Sequence, residues 1–125
     1  MFEKNEIFSS FAVDDLARAK EFYGQTLGLN VSERPEGLEL HLQSGGTVFV
    51  YAKPEHTPAT FTVLNIAVDD IDAAVKVLAD KGIAFEKYPE MTDDDGIARG
   101  KQYGQGPDIA WFKDPAGNIL SVLHG

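Results

Sequence analysis

The chain contains no cysteine. That excludes a disulfide framework, a thiolate metal site and a cysteine nucleophile. It also lacks any apolar run approaching the roughly 18 residues that mark a membrane span, so no membrane partner is expected. Cations are scarce: 11 Lys and Arg stand against 20 Asp and Glu, for a net charge of −9. Such a field repels phosphate backbones, and nucleic acid is not an expected partner. It attracts cationic molecules, although an acidic surface also simply keeps a protein dissolved. Met1 to Ile7 has neither the basic nor the apolar region of an export signal, so a cytoplasmic location is expected.

What is present suits one folded domain. The 125 residues match the usual size of a domain, and 43% hydrophobic with 25% charged residues lies near globular averages, which argues against disorder. An internal repeat organises the chain. Ala12-Val13-Asp14-Asp15-Leu16 recurs as Ala67-Val68-Asp69-Asp70-Ile71, an offset of 55 (68 − 13). Each copy follows a strand-like run, Ile7 to Val13 or Phe61 to Val68, and leads into a helical pattern. Leu16, Ala19, Phe22, Tyr23 and Leu27 carry that pattern in the first copy; Ile71, Ala74, Val75 and Leu78 carry it in the second. Each aspartate can cap its helix, and Gly28 or Gly82 can stop it.

Three further strand-like segments follow each helix. They are about Asn30–Arg34, Leu38–Gln43 and Thr47–Lys53 in module one, and Ala84–Tyr88, Asp108–Lys113 and Asn118–His124 in module two. The expected architecture is therefore α+β, one domain over 1–125 made of two tandem βαβββ modules. Module one spans about 5–53, a linker about 54–60, and module two about 61–125. Asp114-Pro115-Ala116-Gly117-Asn118 reads as a tight turn, and Pro89 to Pro107 as a long irregular loop of the kind that often serves as a lid. Alternation in the Leu38–Lys53 hairpin places Leu38, Leu40, Val48 and Val50 on one face. Glu39, His41, Phe49 and Tyr51 take the other. A three-residue Ser44-Gly45-Gly46 loop, pairing Gln43 with Thr47 and His41 with Phe49, keeps those faces distinct.

The duplicated Val-Asp-Asp-helix units, Phe22-Tyr23 with Leu27-Gly28-Leu29, and the closing Trp111-Phe112-Lys113-Asp114-Pro115-Ala116-Gly117-Asn118 resemble the vicinal oxygen chelate superfamily. This group includes glyoxalase I, extradiol dioxygenases, and fosfomycin- and bleomycin-resistance proteins. The resemblance covers essentially the whole chain. It implies paired βαβββ modules with mixed sheets curled around a cavity, in a homodimer. It also implies that metal-using members draw His, Glu, His and Glu from the first and fourth strands of each module. On this chain those positions fall at Phe8, near Tyr51, at Val63 and at Ser121. Phe8 and Val63 carry no donor atom, so no metal and no other cofactor is expected. The metal-free binders become the nearest guide.

His41 and Glu39 lie two apart on one strand face, within reach of an acid–base pair or two metal ligands. The alternative, ordinary polar residues on a wet sheet face, is favoured, and no catalytic residue is expected. Asp93-Asp94-Asp95-Gly96 fails as a calcium loop because Met91 and Gln102 stand where Asp and Glu are needed; a solvated acidic turn suffices. His56 and His124, in the linker and at the end, are not placed for chemistry.

The expected function is the binding or sequestering of a small aromatic or cationic molecule by a metal-free homodimer. The expected ligand residues are Phe8, Ser10, His41, Phe49, Tyr51, Val63, Asn65, Tyr103, Trp111 and Ser121. The alternative is a glyoxalase-type lyase or dioxygenase using a shifted metal site at His41 and Glu39. A third class, a subunit that recruits another protein, has no sequence feature in its favour.

Overall fold

The computed structural model describes residues 1–125 and divides into two compact units, Met1–Pro58 and Ala59–Gly125. The first unit runs β1 (Ser9–Val13), α1 (Leu16–Lys20), β2 (Asn30–Arg34), β3 (Gly37–His41) and β4 (Thr47–Ala52). Its sheet has the order β1-β4-β3-β2, with β1 parallel to β4 and the other pairs antiparallel. A parallel pair needs a crossover, which α1 supplies. Asp15 takes an extended backbone and its carboxylate accepts from the Arg18 N–H at 3.1 Å, satisfying one of the unpaired donors of the first turn. From Glu21 to Thr26 the helix widens into a π-helical turn, in which the Leu27 N–H reaches back to the Phe22 carbonyl at 2.9 Å. Gly28, at φ +71°, then ends it in the left-handed conformation that glycine adopts without strain.

The aliphatic face of the hairpin is buried as the alternation requires: Leu38, Leu40, Val48 and Val50 are at most 5% exposed. They pack with Phe11, Val13, Ala19 and the fully buried Tyr23, whose ring lies 5.8 Å from that of Phe11. The register differs from the expected one. His41 pairs with Thr47, Glu39 with Phe49 and Gly37 with Tyr51. The loop still has three residues, but they are Gln43-Ser44-Gly45. The Gly45 N–H bonds to the Leu42 carbonyl and the Leu42 N–H to the Gly46 carbonyl. Gly45, not Gly46, takes the positive φ (+98°) that closes a turn of this type. The slip is two residues, so every side chain keeps its face while its cross-strand neighbour changes.

The second unit repeats the plan with β5 (Thr62–Ala67), α2 (Ile71–Asp80), β6 (Ile97–Arg99), β7 (Asp108–Lys113) and β8 (Ile119–His124), in the order β5-β8-β7-β6. Again the first and last strands are parallel, and Asp70 caps α2 through the Ala73 N–H at 3.1 Å. The expected strand at Ala84–Tyr88 does not form; only Phe85 bridges to Phe112, with the Glu86 N–H on the Trp111 carbonyl. The sheet position beside β7 is taken by β6, inside the stretch expected to be irregular. Ile97 and Ala98 have the burial that a strand needs, at 1% and 9% exposed, whereas Ala84, Lys87 and Tyr88 are exposed. Lys101–Tyr103 adds a short 3₁₀ turn.

The two parallel pairs show how the modules correspond. Ser10 pairs with Phe49 as Asn65 pairs with Ser121. The offset is 55 at the first strand (65 − 10) but 72 at the last (121 − 49). Seventeen extra residues (72 − 55) therefore lie within module two, in the segment that carries β6.

The β7–β8 turn is closed by a buried carboxylate. Asp114, 5% exposed, accepts from the N–H groups of Ala116 and Asn118, each at 2.9 Å, and from the Asn118 amide at 3.0 Å. Gly117 supplies the positive φ (+88°). Asp114→Ala would orphan these donors, and should cost about 3 kcal/mol of unfolding free energy by urea titration. A loss below about 1 kcal/mol would show that water replaces the carboxylate.

Candidate functional site

In the first unit the sheet face opposite the aliphatic core carries two rows, Ser10–Phe49–Glu39–Ser32 and Ala12–Tyr51–Gly37–Arg34. Phe49 and Tyr51 stack with centroids 6.2 Å apart and planes 16° from parallel. Gly37 makes room for this arrangement: a β-carbon there would run into the Val50 carbonyl and lie 3.2 Å from the Phe49 ring. A groove of about 390 Å³ is lined by Phe8, Phe49, Thr47 and the charged Glu6, Arg34, Glu36 and Glu39. Arg34 bonds both oxygens of Glu39, at 3.1 and 3.3 Å. His41 Nε2 lies 2.7 Å from the Ser32 hydroxyl and 3.6 Å from Glu39.

In the second unit Asn65, Ser121 and Trp111 form one row across β5, β8 and β7. The Ser121 hydroxyl donates to Asn65 Oδ1 at 2.6 Å. Trp111 packs edge-on to Tyr88, with centroids 5.6 Å apart, and lines a groove of about 660 Å³ with Met91, Arg99, Tyr103, Gln105 and Ile109. Arg99 holds the wall of this groove together. It bonds both Asp72 oxygens on the first turn of α2, at 3.1 and 2.6 Å, and Asp93 Oδ2 at 3.1 Å. The Arg99 bond holds the Asp72 carboxyl below its usual value of 3.8. Burial pushes Asp93 up, but N–H donors from Ile97, Arg99 and Asp95 outweigh it and hold this carboxyl low as well. Asp93 is thus a structural cap for Ile97 and Arg99 rather than part of a merely solvated acidic turn. Glu90, at φ +70°, is the one non-glycine residue in the left-handed region, and it sits at the edge of this groove.

The ten expected ligand residues divide between the units. Phe8 and Phe49 share the smaller groove, with Ser10 and Tyr51 on the same sheet face. His41 belongs to that face, but Ser32 occupies its Nε2. Trp111 and Tyr103 share the larger groove, Tyr103 at its lip, 68% exposed. Asn65 is exposed, whereas Ser121 is fully buried and hydrogen-bonded to Asn65. Val63 lies at a β-bulge between Thr62 and Leu64, so the strict alternation linking it to Asn65 is broken there. The alternation Asn30, Ser32, Arg34 on β2 contained the signal for Arg34. Arg99 had none, since its partner Asp72 lies 27 residues away.

The donor set does not fit the family's metal. Module correspondence makes Phe49, not Tyr51, the counterpart of Ser121, because Ser10 pairs with Phe49 where Asn65 pairs with Ser121. The four positions are then Phe8, Phe49, Val63 and Ser121: three hydrocarbons, and one hydroxyl already engaged. No group of three or more His, Asp or Glu side chains converges elsewhere. His124 Nδ1 is 2.9 Å from the Val68 carbonyl, and His56 joins neither groove.

The chain belongs to the glyoxalase/bleomycin resistance protein/dioxygenase superfamily, whose sequence profile matches residues 8–122. Among solved structures it is similar to an antibiotic-binding protein from Streptomyces sp. CB03234 (23% identity, TM-score 0.68, covering 99% of this chain and 98% of that one). It is also similar to a superfamily member from Sphaerobacter thermophilus DSM 20745 (22%, TM-score 0.71, 100% of each chain). A glyoxalase/dioxygenase from Nostoc punctiforme is a third (19%, TM-score 0.66, 98% and 92%). At these identities the likeness establishes the fold. No curated protein matches the chain. No helix is long and apolar enough to cross a membrane.

The Arg99 clasp predicts a pH dependence. Both carboxylates are depressed below 3.8, so their stabilisation is present above that pH and is lost as pH falls through their lower folded values. Arg99→Ala should flatten the stability profile below about pH 4, and should speed amide exchange at Asp95 and Ile97. An unchanged acid limb by thermal melting would show that the clasp contributes nothing.

Proposed function

We propose that this chain is a metal-free small-molecule-binding protein that sequesters an aromatic or cationic compound on its aromatic sheet faces. The observation that carries the reading is the replacement of the family's donor set by Phe8, Phe49, Val63 and Ser121. What remains at those positions and beside them is apolar surface with a few polar groups, the composition of a ligand site. Glu6, Glu36 and Glu39 outnumber Arg34 around the first groove, which favours positive charge there. The relative from Streptomyces sp. CB03234 is described as an antibiotic-binding protein, which supports the same class. The metal-dependent lyase or dioxygenase reading gains no support from His41 and Glu39, because Ser32 engages His41 Nε2 and Arg34 engages both Glu39 oxygens. A cytoplasmic homodimer is part of the proposal.

Three measurements test it. Elemental analysis after dialysis without chelator should find well under one zinc, nickel, iron or manganese per chain, and light scattering at micromolar concentration should give the dimer mass. Stoichiometric metal lost on His41→Ala would replace this reading with the enzymatic one. A thermal-shift screen of antibiotics and aromatic amines should find a ligand whose affinity falls by roughly 1–3 kcal/mol on Tyr51→Ala, the scale of uncovering one large side chain. Val50→Thr, at a fully buried position on the opposite face, should lower stability and leave affinity unchanged. The reverse pattern would invert the face assignment.

A further inference from the structure

The second unit contains a polar pair that the first unit lacks. Where module one has Ser10 beside Phe49, module two has Asn65 beside Ser121, with Trp111 next in the row. Ser121 is fully buried, and its hydroxyl donates to Asn65 Oδ1 at 2.6 Å. A serine hydroxyl has one proton to donate, and a buried donor needs an acceptor. Ser121 makes no other side-chain hydrogen bond, so Oδ1 must face it. Turning the amide round would make the Ser121 oxygen an acceptor of N–H and leave its own buried O–H without a partner. The orientation of Asn65 is therefore fixed from beneath. Its exposed Nδ2 presents two N–H donors that no protein group takes up.

Asn65 and Trp111 are two strand spacings apart, about 10 Å, with the small Ser121 between them. That distance suits a rigid aromatic frame of two or three fused rings, stacked against the indole at one end and meeting the amide at the other. The chain's charge of −9 disfavours an anionic acceptor. Building on the binding function proposed above, we infer that the second unit selects planar aromatic ligands bearing a neutral carbonyl-type acceptor. Asn65 reads that acceptor, and Ser121 is its positioning residue. A cationic group elsewhere on such a ligand is compatible with this recognition. The acceptor, not the charge, is what the second unit distinguishes.

The test uses a matched pair of probes on the intact protein: fluorenone, and fluorene, which has the same frame without the carbonyl. Trp111 is the only tryptophan, so quenching of its fluorescence reports binding in this unit. The wild-type protein should prefer fluorenone by about tenfold, the scale of one hydrogen bond retained in a desolvated site. Asn65→Leu should bring the ratio close to one through loss of fluorenone affinity, a probe-selective change that a general loss of structure does not produce. Asn65→Asp, which swaps the donor for a charged acceptor, should abolish the fluorenone preference. Ser121→Ala should reduce the preference by releasing the amide. If that buried substitution prevents folding, Asn65→Leu at the exposed position decides alone. Equal binding of both probes by the wild type overturns this inference and leaves the binding function standing. A preference that survives Asn65→Leu overturns it too. Failure of both probes to bind counts against the binding function itself, and this inference falls with it.

Discussion

Each module depends on one constraint: its last strand must return to lie parallel beside its first. Parallel neighbours cannot be joined by a tight turn, so the chain crosses over through a helix and comes back through two further strands. The aspartate caps at Asp15 and Asp70 start those crossovers at equivalent points. The pairing sets Ser10 against Phe49 in one unit and Asn65 against Ser121 in the other. Whatever chemistry the sheet faces carry is assembled at these two seams, because they join residues from opposite ends of each module.

The seams have diverged. In the first unit the face combines stacked aromatics with carboxylates and a single arginine, an arrangement that needs Gly37 to stay open. In the second, a buried hydroxyl holds an amide, and an arginine braces the insertion that walls the groove. Family members that use a metal need imidazole and carboxylate donors at the seam. Here those places hold phenyl rings, an isopropyl group and an engaged hydroxyl.

Much of this was legible locally. The Val-Asp-Asp repeat located both helices because an N-cap is a short-range device, decided within three residues of the aspartate. Alternation in the hairpin assigned Leu38, Leu40, Val48 and Val50 to the core because strand side chains change face with every residue. It placed Phe49 and Tyr51 together for the same reason. The turn at Asp114 was visible because its proline, glycine and two polar residues act on one another directly.

Other features depended on distance. The hairpin register lies two residues from that expected because alternation is blind to even shifts; the positive φ falls on Gly45. Ile97–Arg99, too short to show a pattern, became a strand by meeting β7, while Ala84–Tyr88, more strand-like in composition, found one bridging partner. The Arg99 clasp and the Ser121–Asn65 bond join residues 27 and 56 positions apart. The sequence by itself determined the repeated elements, their caps and their faces, all products of interactions between near neighbours. Only the tertiary structure decided which strands met, in what register, and which polar groups were sealed or left free, because those outcomes follow from contacts between segments distant along the chain.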